Sequence, residues 1–425
     1  MPELDAYLDG MHVGQFQQSS GGAITFHYGE QATMRTPLSL SMPRTLTAHK
    51  QRAARPYLEG LLPDNPGALE AIANEYQTSP RSIFGLLAGV GREVPGALQL
   101  IAPDAHPDDA AHGAPTGEEI DDEDIAERLR TAIDVYRDGR TSRNVDFRFS
   151  LPGAQAKIAL TRLPDGRWLV PDRHTATTHI LKPASPDQPV PDMDVAEAIT
   201  LEAARRLGLD VANTGSWHAP DGTLSALVVE RYDRWFDETG SIRRRHQEDL
   251  TQALSVPPSK KYQADGGPGV GKVAELIRGR VAARDQHDVA RAFFEGFVFN
   301  IATLGTDAHA KNYSLLLEQN RVSMAPLYDL VSAALYYDAD ASSRKLRPSM
   351  WVGEERSFEN VTAEALAREG VRLGLKRDEA GEVVARILQG ASTALVSAAS
   401  DAGRDDMAAA AERNLARFSP VRFDV

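Results

Sequence analysis

Residues 305–314 read GTDAHAKNYS, and residues 325–330 read APLYDL. Asn312 follows Asp307 by five residues, and Asp329 ends a short apolar segment further along. This spacing is typical of kinase-type phosphoryl transfer, in which one carboxylate orients the acceptor hydroxyl while an amide and a second carboxylate hold metal. We therefore predict that Asp307 is catalytic. Asn312 and Asp329 would bind Mg²⁺, a hard ion that prefers oxygen ligands, although each alone is more often a turn or cap residue.

The composition is that of an ordinary soluble chain with several domains. Its 425 residues give room for two or three domains. The absence of cysteine excludes disulfides, cysteine zinc ligands and a cysteine nucleophile. A net charge of −13 argues against general nucleic-acid binding. The acidic start MPELDAYLDG lacks a signal-peptide pattern and no apolar run has membrane-spanning length, so we expect a cytoplasmic protein.

The order of predicted elements indicates an α+β chain with a bilobal protein-kinase-like fold. LDAYLDGMHVGQFQ predicts a hairpin around Asp9 and Gly10. VARAFFEGFVFNIATL, residues 289–304, predicts a buried helix, whereas HQEDLTQALSVPPSKKYQADGGPGV, residues 246–270, reads as a loop or lid. We divide the chain into a β-rich N-terminal subdomain (1–102), an acidic linker or surface insertion (103–125), a kinase N-lobe (126–235) and an α-helical C-lobe (236–425).

A lysine and a glutamate fit the nucleotide-orienting pair of a kinase N-lobe. Lys182 lies in the short apolar strand THILKP, where a charge without a partner is unusual. Glu197 lies on the following predicted helix and could point the ammonium group at phosphate. A strand-end lysine in water is the plain alternative.

Other candidate nucleotide contacts come from loops. FSLPGAQAK, residues 149–157, stands where a phosphate-covering loop belongs, although it has one glycine where protein kinases have three. VVERYD, residues 228–233, would be the hinge between lobes. His309 could also orient Asp307, although an ordinary loop histidine is as common. The expected nucleotide contacts are Ser150, Leu151, Gly153, Ala154, Gln155, Lys157, Lys182, Glu230, Tyr232, His309 and Lys311.

Nearly the whole chain resembles the HipA family of bacterial serine/threonine kinase toxins from type II toxin–antitoxin systems. The motifs that carry the resemblance are PLSLSMP, GLLPDNP, SLPGAQAK, THILKP, VVERYDR, HQEDL, PPSKKYQADGGPG, GTDAHAKNYS and LYDLVSA. The resemblance implies ATP and Mg²⁺ as cofactors and the site roles assigned above. It also implies that Ser150 is autophosphorylated and that this modification switches the kinase off.

The same resemblance implies partners. Family members phosphorylate aminoacyl-tRNA synthetases such as glutamyl-tRNA synthetase, which stops translation and leads to growth arrest or antibiotic persistence. A HipB-like DNA-binding antitoxin would bind the toxin, and DNA would be reached only through it. The pair Leu151-Pro152 departs from the small residues of the family pattern, and a proline would restrict loop ejection. Two alternatives are a co-repressor with little kinase activity and a small-molecule kinase on the same fold.

Overall fold

The computed structural model describes residues 2–30, 34–103, 113–138, 151–153, 155–184, 192–337 and 346–418. The described residues fall into two compact units. The first draws on Met1–Asp187, Asn213–Pro258 and Leu316–Asn320, and the second on Gln188–Ala212, Ser259–Leu315 and Arg321–Val425. Residues 236–258, which we assigned to the C-lobe, therefore group with the first unit. The four-part division of the chain stays a prediction.

The first unit begins with a five-stranded antiparallel sheet. Its strands are β1 (Glu3–Leu8), β2 (Met11–Gln18), β3 (Ile24–Tyr28), β4 (Ala48–His49) and β5 (Leu98–Ile101). They lie in the order β4-β3-β2-β1-β5. Asp9 and Gly10 have positive φ angles of 47° and 78°, as a tight two-residue hairpin turn requires. The predicted hairpin is confirmed.

Three helices complete this N-terminal part, namely α1 (Gln51–Gly60), α2 (Pro66–Glu75) and α3 (Ile83–Val90). Helices α1 and α3 pack on the sheet, and alternate residues of β1 point into the shared core. The α2 helix begins at Pro66, and the Asn65 side chain caps it by accepting the Ala68 N–H.

A six-stranded sheet forms the next part of the first unit. Its strands are β6 (Gly117–Ile120), β7 (Ile158–Arg162), β8 (Trp168–Pro171), β9 (His179–Pro183), β10 (Thr214–His218) and β11 (Ser225–Glu230). The order is β10-β11-β9-β7-β8-β6, so β9 is an inner strand. Helix α4 (Asp122–Asp138) packs on β7 and β9.

The predicted linker over residues 103–125 is wrong for its second half. Gly117–Ile120 pair with β8 as an edge strand, and α4 begins at Asp122. An edge strand exposes most of its side chains, so the acidic sequence GEEI has the composition of a linker. Residues 104–112 lie outside the described residues.

The predicted loop or lid over residues 246–270 is also wrong for its first part. After the hairpin of β12 (Arg234–Phe236) and β13 (Ile242–Arg244), strand β14 (Gln247–Asp249) leads into the short helix α6 (Leu250–Ala253). All four residues of α6 are buried. The Asp249 side chain accepts the backbone N–H groups of Thr251 and Gln252. Capping thus satisfies polar groups that made the sequence read as surface.

The second unit is mainly helical. Its helices are α5 (Met193–Arg206), α7 (Val270–Arg280), α8 (Ala283–Ala302), α9 (Ala363–Leu373), α10 (Arg377–Asp401) and α11 (Asp405–Phe418), and it also contains β16 (Arg321–Met324). Strand β15 (Ser314–Glu318) has residues in both units. Helix α8 buries Phe293, Phe294 and Phe297, which confirms the predicted buried helix. Among the described residues, α10 alone is long and apolar enough to cross a membrane. It packs against α5, α8, α9 and α11, as a core helix does.

Candidate active site

The predicted catalytic aspartate lies on a loop that directly follows helix α8. The helix ends at Ala302, and Leu304 then takes a left-handed conformation with φ of 57°. A Cβ atom on Gly305 would lie 2.4 Å from Oδ1 of Asn300, so the next position has no room for a side chain. The loop therefore holds Asp307 close to the helix end while 61% of its side chain stays exposed.

Backbone and amide hydrogen bonds close this loop around Asp307. The carbonyl oxygen of Asp307 accepts the His309 N–H at 2.8 Å and the side-chain Nδ2 of Asn312 at 2.8 Å. The Asn312 N–H in turn donates to the His309 carbonyl at 2.9 Å. Because the amide nitrogen of Asn312 is used within the loop, its orientation is fixed with respect to Asp307. Its amide oxygen is the atom that suits a hard metal ion.

The segment that carries Asp329 is tied to the same loop. The apolar segment that ends near Asp329 is not the end of a strand, because β16 already ends at Met324. The Tyr328 hydroxyl donates to the Lys311 carbonyl at 2.8 Å, next to Asn312. Asp329 itself has a positive φ of 56°. This left-handed conformation is uncommon outside glycine, and aspartate is one of the residues that adopt it more often.

The buried ring of His309 is near the Asp307 carboxylate but is uncharged at neutral pH. Burial lowers the pKa of His309 to about 3, with repulsion from Lys261 adding to burial and the charge of Asp329 opposing it. Its Nε2 atom is 3.9 Å from Oδ1 of Asp307. A neutral ring at that distance makes neither an ion pair nor a hydrogen bond. The His309 side chain therefore does not orient the Asp307 carboxylate by a hydrogen bond, and its nucleotide contact stays a prediction.

Tyr262 contacts Asp307 instead, and our sequence reasoning missed it. Its hydroxyl donates a hydrogen bond of 2.5 Å to Oδ1 of Asp307. Its ring meets the His309 ring edge to face, with centroids 4.9 Å apart. The available signal was the sequence KKYQADGGPG, in which a single aromatic residue precedes three glycines.

In the first unit, the predicted phosphate loop folds back on its own lysine. The Nζ atom of Lys157 donates to the Pro152 carbonyl at 2.9 Å, and Lys157 is buried. Gly153 has a φ of 115°, and a Cβ there would lie 2.6 Å from that Nζ atom. Leu151 is buried. Of the other predicted loop residues, Gln155 is partly buried, whereas Ser150 and Ala154 lie outside the described residues.

Lys182 lies on an inner strand of the six-stranded sheet, as its predicted role in nucleotide binding requires. It is 8% exposed in β9, opposite Leu227 of β11. Glu197, its predicted partner, is buried on α5. The Lys182–Glu197 pair stays a prediction.

The predicted hinge is held on both sides of its central residue. The backbone N–H of Glu230 donates to the Asn213 carbonyl at 2.9 Å, and the Glu230 side chain is exposed. The Tyr232 hydroxyl donates to Oε1 of Gln247. The nucleotide contacts of Glu230 and Tyr232 stay predictions.

Between these two hinge residues begins a buried charge cluster that the sequence did not reveal. It consists of Glu93, Arg231, Asp233, Arg234 and Arg244. Arg231 contacts Glu93 at 2.6 Å and Asp233 at 2.9 Å, while Arg244 contacts Glu93 at 2.6 Å. The cluster anchors the hinge to the N-terminal part of the same unit. Its only sequence signal was the run ERYDR directly after an apolar strand.

The donor atoms of each unit fit the groups of Mg²⁺-ATP. In the phosphate loop, the Nε2 atom of Gln155 is a buried donor without a hydrogen-bond partner among the described residues. Gly153 has no side chain that would cover the backbone N–H groups of this loop. In the second unit, Asn312 and Asp329 offer hard oxygen ligands. The described residues contain no group of three or more His, Asp or Glu side chains that could hold a metal alone. Mg²⁺ at phosphoryl-transfer sites is usually held by one or two protein ligands together with phosphate.

Comparison with known proteins covers both parts of the chain. Residues 149–395 match the HipA-like C-terminal domain, and residues 4–101 match the HipA N-terminal domain. The putative kinase Y4mE of Sinorhizobium fredii is 36% identical over 412 residues, which cover 93% of this chain and 94% of that protein. The serine/threonine-protein kinase toxin HipA of Shewanella oneidensis is 27% identical over 392 residues, covering 88% and 84%.

A solved structure shows the same fold. The structure of HipA with HipB and operator DNA from Shewanella oneidensis MR-1 matches with a TM-score of 0.77 at 24% identity, covering 97% of this chain and 96% of that chain. The likeness confirms the predicted α+β, kinase-like fold. Because the C-terminal domain match spans residues 149–395 and a 36% identical relative covers 93% of the chain, this chain belongs to the HipA family.

Proposed function

We propose that this chain is an ATP- and Mg²⁺-dependent protein serine/threonine kinase that acts as the toxin of a type II toxin–antitoxin module. The observation that carries the proposal is the closed loop from Asp307 to Asn312. This loop is tied to Tyr328, the residue before Asp329, by the hydrogen bond from the Tyr328 hydroxyl to the Lys311 carbonyl. Phosphoryl transfer demands fixed positions for a base and two metal ligands more than it demands covalent chemistry. The names of the relatives Y4mE and HipA agree with this class of enzyme.

Each residue then has a defined task. Asp307 accepts the proton of the acceptor hydroxyl or orients that hydroxyl. Asn312 and Asp329 hold Mg²⁺, which when bound offsets the negative charge of the phosphates. Lys182 and the backbone of residues 151–157 bind phosphate, and Glu230 marks the hinge. Ser150 is the proposed site of autophosphorylation, by which the kinase would inactivate itself.

The proposed partners follow from the family. The substrate would be an aminoacyl-tRNA synthetase, such as glutamyl-tRNA synthetase, and its phosphorylation would arrest growth. A HipB-like antitoxin would bind this chain, since the related HipA was solved with HipB and operator DNA. The net charge of −13 supports the view that this chain reaches DNA only through such a partner. We propose the cytoplasm as its location.

The experiment is incubation with Mg²⁺ and ATP followed by intact-mass and peptide mass spectrometry, with wild type beside Asp307→Gln. We expect added phosphate on Ser150 in the wild type and none in Asp307→Gln. Glutamine is one methylene longer than aspartate, and its neutral amide replaces the carboxylate that accepts the proton. Wild-type protein that starts unmodified and gains no phosphate, on itself or on added glutamyl-tRNA synthetase, would contradict the kinase and favour a co-repressor role.

A further inference from the structure

The segment that carries Asp329 is anchored on both sides of that residue. Before it, the Leu327 carbonyl accepts the Ala212 N–H at 2.9 Å. After it, the backbone N–H of Ser332 donates to Oγ1 of Thr200 at 3.1 Å. Thr200 lies on helix α5, and Ala212 lies in the chain shortly after that helix ends. Both anchors therefore connect the segment to α5 and to the residues that follow it.

The side chain of Ser332 makes a further connection, to the end of helix α8. Its hydroxyl donates to the Thr303 carbonyl at 2.5 Å, and the same oxygen accepts the Ala334 N–H at 3.2 Å. Thr303 directly follows α8, and the loop that carries Asp307 begins shortly after it. Ser332 thus joins three elements of the second unit, namely α5, the end of α8 and the segment of Asp329.

This junction is buried, and its donors and acceptors are complementary. Ser332 and Thr303 are 0% exposed, and Thr200 is 1% exposed. The Thr200 hydroxyl gives its hydrogen to the Ala196 carbonyl at 2.7 Å, so its oxygen acts as an acceptor for the Ser332 N–H. A buried N–H or carbonyl that loses its partner is costly, because water does not replace the bond. The segment of Asp329 therefore has little freedom to move away from α5 and α8.

We propose that Ser332 is a positioning residue that, through Thr200 and Thr303, holds the segment of Asp329 in place for metal binding. The inference rests on the proposed kinase function, in which Asp329 is a ligand of Mg²⁺. Only two residues separate Asp329 from Ser332, so a displacement at the junction would reach the carboxylate. The alternative is a junction that only stabilises the fold, which would affect stability but not the affinity for metal.

Thr200→Val tests the junction because it removes the acceptor of the Ser332 N–H and keeps the shape of the side chain. The probe is Mn²⁺, which suits the same oxygen ligands as Mg²⁺. Electron paramagnetic resonance of the free ion measures its binding in the presence of a saturating non-hydrolysable ATP analogue, without turnover. We expect the dissociation constant for Mn²⁺ to rise by about tenfold, the lower end of the effect of removing a partner of a metal ligand.

Two variants serve as controls. Thr200→Ser keeps the hydroxyl that accepts from Ser332, and it should bind Mn²⁺ like wild type. Thr161→Val also removes the hydroxyl of a fully buried threonine, which donates to the Ala176 carbonyl at 2.8 Å, but Thr161 lies in the first unit. We expect Thr161→Val to lower the melting temperature and to leave the dissociation constant for Mn²⁺ unchanged.

The possible results separate positioning from a purely structural role. An unchanged dissociation constant in folded Thr200→Val, or an equal rise in Thr161→Val, overturns the positioning role while the kinase function stands. If Thr200→Val does not fold, Ser332→Ala decides by the same criterion, since it keeps the backbone anchor and loses only the bonds of the hydroxyl. A wild type that binds Mn²⁺ but phosphorylates nothing overturns the kinase function alone. One that binds no Mn²⁺ with the ATP analogue overturns both.

Discussion

Replacing Glu93 by glutamine should destabilise the first unit strongly, although the change removes one charge and no bulk. Glu93 is 8% exposed and contacts Arg231, Arg234 and Arg244 at 2.6, 3.2 and 2.6 Å. Burial acts to raise its pKa, but the three guanidinium groups overcome burial and lower the pKa to about 2. Glu93 is therefore ionised at neutral pH. Its negative charge neutralises part of the positive charge of the three buried arginines.

The magnitude follows from the charge balance of the cluster. Three arginines and the two acids Glu93 and Asp233 leave one net positive charge, and the substitution leaves two. Breaking a buried ion pair by removing one partner typically costs about 3–5 kcal/mol. Domains are stable by only about 5–15 kcal/mol. Glu93→Gln should therefore remove a large part of the free energy of unfolding of the first unit.

Urea unfolding followed by tryptophan fluorescence measures this loss, because Trp168, Trp217 and Trp235 lie in the first unit and only Trp351 lies in the second. The control is Glu119→Gln, which removes an ion pair with Arg167 in which both side chains are more than half exposed. Exposed pairs contribute about 0–1 kcal/mol. If the two variants shift the urea midpoint equally, the cluster does not carry the stability that we assign to it.

Two further substitutions test single groups of the first unit. Burial raises the pKa of Glu248 from its ordinary 4.5 to about 8, so its contribution to stability is complete below pH 4.5 and is lost as pH rises towards 8. In Glu248→Gln, the amide oxygen can still accept the Leu40 N–H. The melting temperature of this variant relative to wild type should therefore increase as the pH rises from 4.5 to 8. A difference in melting temperature that stays constant over this range would refute the assignment. Gly153→Ala should add about 1–3 kcal/mol of backbone strain at a φ of 115°. It should also displace the Lys157 ammonium group and raise the ATP concentration for half-saturation, and unchanged ATP titrations would argue against a phosphate loop here.

Sequence reasoning worked best where a periodic or turn pattern reflects burial directly. The phenylalanines of α8 recur at helical spacing, and Asp9-Gly10 is a strong hairpin signal, so both elements were predicted correctly. The loop from Asp307 to Asn312 was predicted from residue spacing alone, and the structure adds the hydrogen bonds that close it.

Prediction failed where polar residues are buried because other polar groups satisfy them. Glu93 reads as a surface glutamate, since the arginines that neutralise it are more than 130 residues away in the chain. The segment after His246 was predicted as a lid because its residues are polar. Hydropathy does not show that Asp249 caps α6 or that Glu248 is buried. Tyr262 was missed for a related reason, because its contact with Asp307 spans 45 residues.

Two of the positive φ angles in the second unit lie next to or within the candidate catalytic residues. Leu304 and Asp329 have φ angles of 57° and 56°. This left-handed conformation costs a residue such as leucine roughly 1–2 kcal/mol, whereas aspartate adopts it more readily. Leu304 is buried, and the Asp329 segment is held through the hydrogen bond from Tyr328 to Lys311, so packing and hydrogen bonding offset the strain on both sides of the loop. A glycine at either position would relieve the strain but would admit other conformations. We therefore expect side chains at both positions to restrict the segments that carry Asp307 and Asp329 more than glycine would.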